Sequence, residues 1–212
     1  MVTVEGYVFT HPKKQGSGFY LTDGTSFVFV YDGAKNVVTK GNKVKVTGNF
    51  VKYGTYSQMY QIDCGSKVTG ATVTITDTSV NDLPVDGATD FDLNNSYNFS
   101  HTRTDVAGEL KVYHVKSYLV GYVNDWGKPG YELCSTADGS GKYVAWYPQS
   151  ADCFSFYGEE YGTFDTSAPT THKEGIVNDG QLHDFYFVIY DANMEDDNVT
   201  FDKYRFIPVC YR

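Results

Sequence analysis

The residues of this sequence best equipped for surface chemistry are rings and lysines set close together. Tyr20, Phe27, Phe29 and Tyr31 lie in two short runs, with Tyr53 and Tyr56 in a glycine-bearing stretch further on. Lys43, Lys45 and Lys52 stand in and beside the neighbouring run. Rings stack on bases with little regard to sequence, and ammonium groups neutralise phosphates. Alternate residues of a strand point to opposite faces, so about half of these rings fill an interior if the strands close on themselves. A second set, Tyr122, Trp126, Tyr143, Trp146 and Tyr147, has only Lys116, Lys128 and Lys142 as basic neighbours. Rings beside acids and amides suit sugars or peptides better than phosphates.

Catalytic constellations are absent from the pattern. The chain has no G-x-S-x-G, no H-E-x-x-H and no G-x-x-x-x-G-K-[ST]. His11, His101, His114, His172 and His183 are scattered and read as packed or surface histidines. Glu159, Glu160 and Asp165 could act as acid and base only if a fold set two of them across a cleft; as they stand they read as a solvated acidic loop. Asp191, Asn193, Glu195, Asp197 and Asp202 fall at positions 1, 3, 5, 7 and 12 of a calcium-loop frame. Asp196 occupies the position that wants glycine, position 12 is Asp rather than Glu, and the flanks are strand-like. The expectation is therefore no metal and no cofactor, with these acids keeping a hairpin soluble.

The elements that must position the rings are strands. Val2, Val4, Gly6 and Val8 alternate with Thr3, Glu5, Tyr7 and Phe9. Gly18 to Thr22 and Phe27 to Tyr31 flank Asp23-Gly24 and predict a hairpin. Ala34 to Thr39 has room for a helical turn. Lys43 to Thr47 alternates again, and Gln58 to Ile62 supplies a fifth run. Strand, hairpin, short helix, hairpin is the order of a five-stranded Greek-key barrel, the OB-fold. Val4-Glu5-Gly6-Tyr7-Val8, Gly18-Phe19-Tyr20-Leu21-Thr22-Asp23-Gly24 and Gly41-Asn42-Lys43-Val44-Lys45-Val46-Thr47-Gly48 resemble a bacterial OB family found in secreted nucleases and surface lipoproteins. The resemblance covers roughly the first third of the chain. It implies a ligand face on the second and third strands and the adjoining loops.

Val68 to Thr76 predicts a strand joining two units, and residues 77–109 are rich in Asp, Asn, Ser, Thr and Gly. Residues 83–97 have room for a short helix, and part of this segment is expected to pack on the second unit. A second β series follows: Leu110 to Val123, a hairpin from Gly130 to Cys134 and Lys142 to Tyr147, and a closing hairpin from Gln181 to Asp191 and Phe201 to Val209. Residues 148–180 read as a long loop. The expected fold is all-β: two OB-like five-stranded Greek-key barrels in tandem, at 1–67 and 109–212, the second with a long loop insertion, joined by a linker and packing segment at 68–108. A β-sandwich is the alternative for the second half.

Composition limits the function. The chain has 212 residues, 17% aromatic, with a net charge of −9, which disfavours a generic nucleic-acid binder. Charge is uneven. Residues 1–67 carry eight basic and four acidic groups, net +4, and the remainder nine and 22, net −13. Such asymmetry suits two units with different surfaces, although lysines on exposed strands also serve simply as solubilising groups. No apolar stretch is long enough to span a membrane. Met1 leads almost directly into a strand, so the chain is expected to be either cytoplasmic or a module of a longer secreted or cell-surface protein; the resemblance favours the second. Cys64, Cys134, Cys153 and Cys210 form no C-x-x-C pair, so a zinc ribbon or redox motif is not expected, and free buried thiols are as consistent as two disulfides.

Two functions follow. One is a non-enzymatic module that binds single-stranded nucleic acid through Tyr20, Phe27, Phe29, Tyr31, Lys43, Lys45, Lys52, Tyr53 and Tyr56. The other is an extracellular module that binds an oligosaccharide or a protein, with contacts at Trp126 and Trp146, and has no nucleic-acid affinity.

Overall fold

The computed structural model describes residues 1–9, 18–31, 38–52, 60–79, 82–93, 110–123, 129–141, 143–146, 180–189 and 204–212. All regular structure among them is strand. β1 (Val2–Val8), β2 (Gly18–Thr22), β3 (Phe27–Tyr31), β4 (Lys43–Lys52), β5 (Tyr60–Asp63) and β6 (Thr72–Asp77) form the first sheet. The pairings run β1 to β2 to β3 to β5 to β4 and back to β1, closing a five-stranded barrel in which only β3 and β5 are parallel.

β4 is long enough to serve two partners on one edge. Its first half pairs with β6 and its second half with β5. The change falls at Gly48, where a Cβ would stand 2.7 Å from the Asp63 carbonyl, the Cys64 sulfur and the Ile62 side chain. Only glycine allows this approach. Alternation sends Val8, Phe19, Leu21, Val30, Val44, Val46 and Ile62 into the barrel core.

β7 (Thr89–Asp90), β8 (Val112–Val123), β9 (Pro129–Cys134), β10 (Tyr143–Trp146), β11 (His183–Ile189) and β12 (Tyr204–Tyr211) form the second sheet. Its pairings run β8 to β9 to β10 to β12 to β11 and back to β8, with β10 and β12 parallel. This repeats the order of the first sheet, member for member. Tyr113, Phe91, Phe187 and Phe206 pack edge-on or tilted in its interior, with centroids 5.4–5.9 Å apart.

The strands expected from alternation at 2–9, 18–22, 27–31, 43–47 and 58–62 appear as β1 to β5. The helix expected within 83–97 does not form over the described residues 83–93, which hold a turn and the two-residue β7. Pro84 and Gly87 oppose a helix there. Leu83 and Val85, two apart, instead turn the same way into a core. Residues 38–39 of the other expected helix are not helical, and 32–37 lie outside the described residues. So do the loop at 148–179 and the calcium-loop frame at 191–202.

The two sheets share a core. Phe9, Tyr20 and Phe27 of the first unit, Leu83 and Val85 of the connection, and Val112, Val188, Ile207, Val209 and Cys210 of the second form one buried cluster. The backbones join across it as well: the Phe27 amide donates to the Leu110 carbonyl and the Val112 amide to the Thr25 carbonyl, both at 2.8 Å. Burying each side chain of this size contributes about 1.5–3 kcal/mol, so the seam is a structural core rather than a loose contact.

Candidate functional site

The outer wall of β2 and β3 carries Tyr20, Phe27, Phe29 and Tyr31, as alternation requires. Tyr20 lies 5.8 Å from Phe9, 6.1 Å from Phe27 and 5.0 Å from Phe29, ring centre to ring centre. These rings face the second unit rather than water. Tyr20 is 5% exposed and Phe27 4%, and the half-buried Phe29 packs on the same cluster. Tyr31 is half-buried, with its ring beside Gly65.

The lysines stand on other walls. Lys43 lies over the Tyr7 ring at 5.7 Å, and Lys45 pairs with Glu5 at 3.9 Å. Lys52 is exposed, opposite Tyr60 in the β4–β5 register. The expected surface, with rings and ammonium groups on one open wall, is thus divided: rings in the seam, lysines on β4. Tyr53, Tyr56 and Trp126 lie outside the described residues. Trp146 sits on β10 in register with Tyr131 and Phe206.

Open rings occur at the end of the barrel. Phe50 and Tyr60, on β4 and β5, stack with centroids 5.1 Å apart and planes 12° apart. They are 48% and 39% exposed. Phe50 is also on the lip of a hollow of about 220 Å³ at the barrel mouth. Val4, Leu21, Phe27, Val28, Ile62 and Leu110 supply its apolar wall, and Glu5, Thr22, Asp23 and Ser26 its polar edge. Leu110 has φ of 49°, the one non-glycine residue with positive φ among those described. That left-handed backbone costs roughly 1–3 kcal/mol, and it places Leu110 both on the seam and in the hollow.

The edge is held by a compact turn. The Asp23 carboxylate accepts from the Thr25 amide at 2.9 Å and the Ser26 amide at 2.7 Å. Partial burial pushes the Asp23 carboxyl up, but these hydrogen bonds outweigh it and hold it below the usual range. Gly24, at φ of 92°, packs on the Pro84 carbonyl. The turn is thereby fixed to the connecting segment.

A third cluster lies beside the seam on the second unit. His114 Nδ1 meets Asp90 at 2.9 Å and Nε2 meets Asp184 at 2.8 Å. Its ring packs on Tyr186 at 5.0 Å. Both nitrogens can donate only in the charged imidazolium. Burial pushes its pKa down, yet the hydrogen bonds and charges of Asp90 and Asp184 prevail and the value is raised. Arg212 bonds Asp82 at 2.6 Å and lies 5.8 Å from the Tyr186 ring centre. Together these contacts tie residues 82–90 to β8, β11 and the C-terminus. Sequence spacing gave no sign of the cluster, because its members are 24 and 70 residues apart.

Among the described residues no three or more His, Cys, Asp or Glu side chains are arranged so that they could hold a metal ion. Cys64, Cys134 and Cys210 are buried thiols, and the Cys64 thiol donates to the Thr47 carbonyl at 3.4 Å. Burial in the seam pushes the Cys210 thiol up to about 12, so it is an inert packing group. No described helix is long and apolar enough to cross a membrane. No family model, curated protein or solved structure matches the chain.

Proposed function

We propose that the chain is a non-catalytic binding and assembly module that recognises a protein. It consists of two OB-like barrels, 1–67 and 109–212, with segment 68–108 wedged between them. The repeated pairing order of the two sheets supports the tandem reading, and the resemblance of the first third to secreted and surface OB domains supports a place in a longer extracellular protein. One observation carries the choice of ligand class. The wall on which an OB barrel stacks bases, Tyr20 and Phe27, is buried in the seam. The net charge of −9 points the same way.

A second reading has its own support. Phe50 and Tyr60 are stacked and exposed, and Lys52 is beside them. That is a small platform for single-stranded nucleic acid. Titration of the full chain with a fluorescent oligothymidine at 50 mM and 200 mM salt decides between the two. The protein-binding reading expects no saturable binding at either. Saturable binding at 50 mM that falls steeply with salt would transfer the function to nucleic acid.

A further inference from the structure

We infer, resting on the protein-binding reading, that the hollow at the barrel mouth receives one apolar side chain from a partner protein, a side chain flanked there by basic residues. A hollow of about 220 Å³ is larger than the roughly 150 Å³ apolar cavity that holds benzene. It takes an indole or a large aliphatic side chain, not a folded surface. The walls from Val4, Leu21, Val28 and Ile62 are carbon only: Leu21 and Ile62 belong to the barrel's core cluster, and Val4 and Val28 pack on it from β1 and β3. A sugar ring would lose hydrogen bonds against such walls.

Charge selects among the remaining ligands. Glu5 and Asp23 are exposed at the edge, and Asp23 is held in its charged form. Among the described residues no lysine or arginine lines the hollow; Lys45, 3.9 Å from Glu5, offsets part of that acid's charge and leaves Asp23 as the uncompensated carboxylate of the edge. A phosphate or an acidic peptide meets repulsion there, and a basic flank meets attraction. Phe50 completes the picture. It is a large ring, half in water, already ordered against Tyr60 and already at the lip. A preformed aromatic edge beside an apolar hollow that a partner's side chain can fill is where binding energy concentrates in protein interfaces.

The test is a methyl-detected NMR titration of the full chain with three capped tripeptides, Lys-Trp-Lys, Glu-Trp-Glu and Lys-Ala-Lys. Lys-Trp-Lys is expected to shift the methyls of Val4, Leu21, Val28 and Ile62 saturably. Glu-Trp-Glu should bind about two- to fivefold more weakly, the scale of exposed charge pairs. Lys-Ala-Lys should leave those methyls unmoved. Phe50→Ala should weaken Lys-Trp-Lys about tenfold, and Glu5→Gln should narrow the gap between the charged peptides. The inference is overturned if Lys-Trp-Lys leaves these methyls unmoved, if Glu-Trp-Glu binds as well, or if Lys-Ala-Lys binds equally. Shifts at the same methyls on raising protein concentration alone would make a second copy the occupant and also overturn it. A salt-sensitive oligothymidine complex would instead remove the protein-binding reading, whatever the peptides do.

Discussion

The two ring sets of the first barrel are made of the same residue types, Phe and Tyr, and lie on strands of the same closed sheet, yet one is core and the other is surface. Tyr20, Phe27 and Phe29 on β2 and β3 are covered by Val188, Ile207 and Val209 of the second unit. Phe50 and Tyr60 on β4 and β5 stack on one another with water on their outer side. Alternation determines which face of a strand a ring takes. It does not determine what covers that face. In this chain the ring-bearing wall of β2 and β3 is buried against the second sheet, and the stacked pair on β4 and β5 stays open to water.

The largest effect should come from the seam. Phe27→Ala removes a ring 4% exposed and is expected to cost about 3–5 kcal/mol. Urea denaturation followed by circular dichroism should show one transition shifted for both units. A shift confined to half of the signal would break the comparison by showing that the units fold apart. Gly24→Ala comes next. It places a Cβ on the Pro84 carbonyl at a φ of 92° and should cost more than about 1 kcal/mol, measured in the same way. A neutral result would mean that the β2–β3 turn is not fixed to the connection.

The His114 clamp predicts a pH effect beside the same seam. Its pKa is raised in the folded chain, so its stabilisation is fully present below the ordinary histidine value near 6.5 and is lost as pH climbs through the higher folded value. Denaturation midpoints should fall across that interval, and His114→Gln should flatten the profile. Groups facing the ring are Asp90 and Asp184, with Tyr186 packed on it and Arg212 over Tyr186. An unchanged slope in His114→Gln would assign the pH effect elsewhere. Smallest of all is Phe50→Ala, expected to change stability by no more than about 0.5 kcal/mol because the ring is half exposed. A loss as large as that of Phe27→Ala would erase the distinction between the two ring sets.

Much of the fold was legible because period-two alternation and glycine turns leave a local trace. β2 and β3 lie where Phe19, Leu21, Val28 and Val30 alternate with Tyr20, Phe27 and Phe29, and the Asp23-Gly24 turn separates them. The seam left no such trace, since it brings Tyr20 to Ile207 and Phe27 to Leu110 across long stretches of chain. The His114 pairing with Asp90 and Asp184 depends on the register of β8 with β7 and β11, which no local pattern encodes. The expected helix in 83–97 failed where Leu83 and Val85 gained more from burial in an extended segment than from helical hydrogen bonds. Phe50 lies beyond the run expected at Lys43 to Thr47, in the part of β4 that alternation did not mark, and its place at a hollow depends on barrel closure.

The most direct measurement is native-state hydrogen exchange at the Phe27 and Val112 amides, which donate across the seam. The account predicts that both exchange only through global unfolding, as slowly as the Val44 and Val46 amides in the centre of the first barrel. Rapid exchange at Phe27 and Val112 while Val44 and Val46 stay protected would mean that the units part readily, and that the rings of β2 and β3 are a surface after all.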